Sequence, residues 1–187
     1  LASVLRSMED AGPDVDFVHV AWIAGKLQTW SGEPRAAIAW FERSIRRFEG
    51  VPDSWLAALS LPGLTDALRR VGRTDEAREA ADRAMKVGLA LGMTHVAAEA
   101  LEQQGYLAAA EDSAVAEDLH HQALRVRVDH GLRTFFVDSL DALARLAARD
   151  GRTAQAARIL GATDVARQAM GYPRPMIDHA AHDDLGE

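Results

Sequence analysis

A recurring spacing constrains this chain more than any other feature. With Gly32, Gly72, Glu111 and Gly151 taken as turn points, the intervals are 40, 39 and 40 residues. A fixed period of that length marks stacked supersecondary units rather than one enclosed core. Five positions after each turn point stands an alanine: Ala37, Ala77, Ala116 and Ala156. Twelve after it come Ser44, Ala84, Ala123 and Thr163, and eleven before it Ala21, Leu61, Ala100 and Leu140. The register is looser at seven before (Gly25, Thr65, Gln104, Ala144) and four before (Gln28, Leu68, Leu107, Ala147). Small residues recurring in register are what closely crossing helices need. Aromatics make up only 6% of the chain, while alanine, the strongest helix former, is about a fifth of it. The sequence therefore predicts an all-α protein, a right-handed α-solenoid of about four helical hairpins with a period of about 40 residues.

Punctuation divides the hairpins. Asp53, after Pro52, is expected to cap a helix through Trp55, Leu56, Leu59, Leu64 and Leu68 that stops at Gly72. Thr74 is expected to cap its partner, which turns Ala77, Ala81, Ala84 and Met85 to the core and ends at Gly92. Thr94 opens the next unit. The same reading gives helices over Val96 to Ala110, Ser113 to His130, Thr134 to Asp150 and Thr153 to Met170, the last closed by Gly171. Pro62 beside Gly63 predicts a kink or a late start in its helix. Residues 1–13 read as the end of a preceding repeat, with Leu1 to Ala11 a helix closed by Gly12 and Pro13; the missing initial Met fits a segment of a longer chain. Residues 14–171 read as the four hairpins and 172–187 as a C-terminal capping tail, with Met176 to Leu185 one short helix across the last hairpin.

Several chemistries are excluded. There is no cysteine, hence no disulfide, thiolate metal site or Cys nucleophile, which fits a reducing, cytoplasmic setting. A net charge of −7 without Lys/Arg clusters argues against direct nucleic-acid contact, and no apolar run long enough to span a membrane occurs. Phosphate-loop, H-E-x-x-H, G-x-S-x-G and dinucleotide motifs are absent. No catalytic residue, metal or cofactor is expected. The cluster Asp178, His179, His182, Asp183 and Asp184 has metal-like spacing, yet it reads better as a solvated polar terminus. His120 stands nine positions after its turn point, where the other units place Phe41, Ala81 and Leu160, so it is expected in the core. Trp22 and Trp30, eight apart on one helical face, are either core or a partner-binding patch.

In a helical-hairpin solenoid the leading helices line the concave groove. Ligand readers are therefore sought thirteen, ten, six and three residues before each turn point. Those positions nominate His19, Trp22, Lys26, Asp66, Arg69, Asp138, Asp141 and Arg145 as groove candidates, beside the less polar Thr29, Leu59, Pro62, Ala98, Leu101, Gly105, Ala108 and Ala148.

Glycine at the turn with small residues five and twelve positions later resembles the tetratricopeptide (TPR) repeat, although these units run to about 40 residues against the usual 34. The terminal strings Ala156-Ala157-Arg158-Ile159-Leu160-Gly161-Ala162 and Met170-Gly171-Tyr172-Pro173-Arg174-Pro175, with Leu185-Gly186 after them, resemble the end of the repeat region in multidomain, actinobacterial-type LuxR-family regulators. That resemblance implies an ATPase module before the repeats, in some members a nucleotide cyclase domain, and a helix-turn-helix DNA-binding module after them. It carries no catalytic residue onto this chain. The Lys/Asn clamp by which co-chaperone TPR domains hold a peptide carboxylate is absent, because Lys26 stands nearly alone and the chain has no Asn. The expected function is non-catalytic: protein interaction and signal sensing within a cytoplasmic transcriptional regulator, with a protein partner, neighbouring domains or a small-molecule signal as ligand. The rival expectation is a freestanding adaptor or dimerisation module.

Overall fold

The computed structural model describes residues 18–47, 55–132, 135–179 and 182. Eight helices follow one another: α1 (Val18–Trp30), α2 (Pro34–Arg47), α3 (Trp55–Arg70), α4 (Thr74–Ala90), α5 (Thr94–Ala108), α6 (Ser113–Asp129), α7 (Phe136–Arg149) and α8 (Thr153–Met170), then a 3-10 turn over Met176–Asp178. No strand occurs among the described residues. Each helix packs on the next, and the leading helices α1, α3, α5 and α7 also touch in succession, forming one inner layer against an outer layer of α2, α4, α6 and α8. The expected stretch from Leu1 to Pro13, and the caps Asp53 and Thr134, lie outside the described residues.

The alanine stripe explains how closely the layers approach. Ala37, Ala77 and Ala116 are wholly buried and Ala156 nearly so, as are Ser44, Ala84, Ala123 and Thr163 one helical stretch further on. Where large side chains enter this packing, the facing helix withdraws to glycine. A Cβ placed on Gly25 of α1 would lie 2.6 Å from the Phe41 ring, and one on Gly63 of α3 would lie 2.4 Å from it. Phe41, fully buried on α2, is thus wedged against both inner helices. The third hairpin repeats the device: His120 on α6 takes the Phe41 position, and a Cβ on Gly105 of α5 would come within 2.7 Å of its ring. As expected, His120 is a core residue, 1% exposed and edge-on to Tyr106 with ring centroids 4.9 Å apart. Trp40 is buried with Ala21 and Ala24, whereas Trp55 is half exposed.

Three hairpins close on a left-handed glycine: Gly32, Gly72 and Gly151 have φ of +93°, +80° and +78°. In each, the next amide reaches back five residues, Glu33 to Gln28, Arg73 to Leu68 and Arg152 to Ala147, at 2.7 to 3.0 Å, which satisfies a helix-end carbonyl. The third turn has no such glycine. Around Glu111 the chain keeps a helical sense, the Asp112 amide donating to the Ala108 carbonyl at 2.9 Å. Helix α5 consequently ends at Ala108, two residues before the expected end, and starts at Thr94 rather than Val96.

The cap assignments also need correction. Thr74, Thr94 and Thr153 are first helical residues, and the cap positions before them, Arg73, Met93 and Arg152, make no side-chain cap bond. Asp112, not Ser113, caps α6, its carboxylate accepting from the amides of Ala114 at 2.9 Å and Val115 at 3.1 Å. Pro62 does not delay its helix, since α3 runs continuously from Trp55 through Pro62.

Two predictions follow from this packing. Ala116→Leu or Ala156→Leu overpacks a helix crossing and lowers unfolding free energy by about 1 to 3 kcal/mol, while the exposed Arg83→Glu is near neutral; chemical denaturation midpoints of the three variants decide it. Burial, reinforced by Arg127 and Arg69, depresses the His120 pKa to about 4. Protonation therefore favours the unfolded chain, whose imidazole titrates near 6.5, so the stability present above pH 6.5 is lost as pH falls toward 4. His120→Phe, the side chain used against Gly25 in the first hairpin, removes that part of the acid sensitivity, measured as the difference in melting temperature between pH 7 and 4.5.

Candidate binding groove

The inner layer encloses a cavity of about 510 Å³, within the range of small-molecule and short-segment sites. Of the residues nominated from spacing, Trp22, Lys26, Asp66, Asp138, Asp141 and Arg145 line it. Arg69 stands behind the wall: its Nη2 donates to Asp66 at 2.5 Å, its Nε to Gln103 at 3.3 Å, and its guanidinium lies 4.5 Å over the Tyr106 ring. His19 belongs to α1, but its side chain lies outside the described residues.

Residues that spacing did not nominate complete the wall. In the third hairpin His95, Glu99, Glu102, Gln103 and Tyr106 of α5 line it, and Glu99, Glu102 and Tyr106 each stand one position later than the nominated Ala98, Leu101 and Gly105. The cause is the missing left-handed glycine, which offsets α5 by one residue against its turn, a rotation of about 100°. Two arginines enter from the outer layer. Arg127 on α6 donates through Nη1 to Glu102 and, at 2.6 Å, to the Ser139 hydroxyl of α7. Arg167 on α8 donates to Asp138 at 2.5 Å and to Asp141 at 2.9 Å. Both stand sixteen residues after their turn points, where the second hairpin has Gly88. That shared position is a repeat signal the groove rule ignored by considering leading helices alone.

The tail forms the rest of the wall. Gly171, at φ +63°, redirects the chain, and residues 172–178 fold back over the groove instead of continuing along the last hairpin. Tyr172 donates its hydroxyl to Asp138 at 3.1 Å and lies edge-on to Trp30 and Phe135 at 6.1 and 6.3 Å. Arg174 grips both oxygens of Asp141 at 3.0 and 3.1 Å. Asp178 accepts from Arg70 at 3.0 Å and pairs with Arg145 at 3.8 Å. Among the described residues from Met176 onward, helical geometry is confined to the 3-10 turn through Asp178 and to His179 and His182. His179 meets the Arg174 carbonyl and His182 meets Asp164, so these histidines and Asp178 point to separate partners; Asp183 and Asp184 lie outside the described residues.

Electrostatically the cavity is balanced and crowded. Asp66, Glu99, Glu102, Asp138, Asp141 and Asp178 face Lys26, Arg70, Arg127, Arg145, Arg167 and Arg174. Burial alone would raise Asp66, but Arg69 and Arg70 hold its carboxyl below the usual range. Burial dominates at Glu102 and Asp138, whose carboxyls are pushed up despite Arg127 and Arg167 beside them. Two buried donors on the cavity wall, Trp22 Nε1 and Arg167 Nη1, have no hydrogen-bond acceptor among the described residues. A group entering this space therefore meets unsatisfied donors, aromatic faces and charges of both signs.

No protein-family model and no curated protein matches the chain. Solved structures do. A Rap protein complexed with Competence and Sporulation Factor superposes with a TM-score of 0.69 at 12% identity, over 82% of this chain and 44% of that one. The apo form of RapI gives 0.64 at 9% identity over 89% and 61%. The nearly identical TPR-like repeats of a Podosopora anserina kinesin light chain give 0.59 at 16% identity over 90% and 83%. The chain thus spans about half the length of the Rap proteins it resembles. At such identities the likeness is one of architecture, and it shows the chain to be an all-helical, TPR-like repeat fold.

Proposed function

We propose that this chain is a non-catalytic recognition module whose inner groove binds a short protein segment. The observation that supports this most directly is the groove itself: a 510 Å³ cavity on the inner layer, walled by half-buried Trp22 and Trp30 and by charged side chains that emerge from all four hairpins. Aromatic faces supply contact area at low entropic cost, while fixed charges set register and orientation. Trp22 Nε1 and Arg167 Nη1 offer donors to backbone carbonyls of such a segment. One of the solved neighbours is complexed with a factor, the Competence and Sporulation Factor, which agrees with a ligand-binding use of this architecture.

The finer context of the proposal is a cytoplasmic sensor within a multidomain transcriptional regulator, and it is supported by the resemblance of residues 156–162 and 170–175 to the end of such repeat regions. No helix among the described residues is long and apolar enough to cross a membrane. In this reading a segment that prefers one curvature of the stacked hairpins shifts the array toward it, and attached modules respond in proportion to that preference.

The test is a display panel of random heptapeptides offered to the full chain, followed by affinity measurements on Trp22→Ala, Lys26→Ala and the outer-face Arg83→Glu. Peptides selected by the wild type are expected to bind either groove variant at least about tenfold more weakly, equivalent to 1.4 kcal/mol, and to bind Arg83→Glu unchanged. A panel that yields no binder, or binders sensitive only to Arg83, overturns the reading.

A further inference from the structure

The tail segment over the groove has the features of a bound ligand. Residues 172–178 lie against the first, second and fourth hairpins through side chains of three different kinds: Tyr172 among Trp30, Phe135 and Arg167, Arg174 on Asp141, and Asp178 between Arg70 and Arg145. Between these anchors sit Pro173 and Pro175, and Pro175 has φ −55° and ψ 139°, a polyproline-type backbone that needs no internal hydrogen bonds. Only one 3-10 turn of regular structure is involved, so little helix is lost when the segment leaves.

The partners behind the anchors are unequally provided for. Asp66 keeps Arg70 engaged and Arg167 keeps Asp138 and Asp141 engaged without the tail. Among the described residues Arg145 forms its ion pair with Asp178 alone, although its side chain is only 24% exposed. Departure of the tail therefore uncovers a buried cation at Arg145, the outer side of the Asp141 carboxylate, and an aromatic slot between Trp30 and Phe135. Those three vacated partners ask for a carboxylate, a cation and an aromatic ring, in the spacing that the tail itself displays.

We infer that the Tyr172–Asp178 segment is a built-in competitor for the groove, and that the groove's ligand is a short peptide presenting an aromatic residue, a basic residue two positions on and an acidic residue four positions after that. This rests on the groove reading above and names its ligand class. Charge complementarity selects the orientation, because the reversed sequence would set the carboxylate on Asp141 and the cation on Arg145.

The experiment uses the full chain and a fluorescently labelled, N-acetylated heptapeptide of residues 172–178, read by anisotropy. Two release variants act on independent anchors: Arg174→Gln with Asp178→Asn, and Tyr172→Ala. Either variant is expected to bind the peptide at least tenfold more tightly than the wild-type chain. The gain is expected to vanish with Arg145→Ala added, and with a control peptide whose basic and acidic residues are replaced by Gln and Asn. Equal affinity of wild type and both release variants, or equal binding of the control peptide, overturns the inference. So does loss of cooperative melting in both release variants, since a displaceable segment is not required for folding. If this peptide fails while the random panel still yields groove-sensitive binders, the competitor proposal falls and the recognition reading stands; failure of both removes both.

Discussion

The close approach of inner and outer helices is the constraint on which the rest of this molecule depends. Alanines at one repeat position remove the side-chain bulk that would hold the layers apart, and Gly25, Gly63 and Gly105 let single large residues, Phe41 and His120, fill the space that remains. Close packing of these small and large residues explains why each hairpin adds its neighbour in a fixed orientation. Because the orientation is fixed, the inner faces of α1, α3, α5 and α7 align into one continuous wall, and a cavity forms that no single hairpin possesses.

Much of this was legible in the sequence because it depends on residue size and on periodicity. The positions five, nine and twelve after the turn points lie on α2, α4, α6 and α8, and their residues are buried in every hairpin. The inner wall was legible in three hairpins and displaced in the third, for a local reason. A glycine at positive φ ends a helix by reversing the chain sharply, whereas Glu111 cannot take that conformation at low cost, so α5 meets its turn one residue out of step. A one-residue slip on a helix exchanges a lining face for a buried one, which is why Glu102 and Tyr106 were not found from spacing. The tail was illegible for a different reason. Pro173 and Pro175 announce the end of a helix, but where the chain goes next depends on Asp138, Asp141, Arg70 and Arg145, which come together only after the hairpins have stacked.

The charges inside the groove are hard to explain by stability. Taking an ion pair out of water costs about as much as the pair returns, and well-packed apolar replacements are often neutral or stabilising. The position sixteen after the turn point is uncharged in the other two hairpins, Phe48 in the first and Gly88 in the second. The groove nevertheless keeps Arg127 on Glu102 and Arg167 on Asp138 and Asp141, with burial pushing two of those carboxyls upward. What such an arrangement supplies is direction: guanidinium and carboxylate groups held by one another present fixed donors and acceptors to whatever occupies the cavity, with little reorganisation on binding.

A segment that covers its own chain's groove sets the affinity for every other occupant. If the covered state is populated at about 99%, a competing peptide binds about a hundredfold more weakly than to the open groove, because the apparent dissociation constant is the intrinsic one divided by the open fraction. The strength of the tail contacts is then a threshold rather than a structural necessity. Weakening a single anchor, for instance the 3.8 Å pair between Arg145 and Asp178, lowers that threshold without altering the groove that the ligand reads. Because the tail touches the first hairpin through Trp30, the second through Arg70 and the fourth through Arg145, its exit also unties elements at opposite ends of the array. Ligand entry and a change in hairpin arrangement are in this way coupled through one short stretch of chain, which is the physical requirement for a solenoid to report on what it binds.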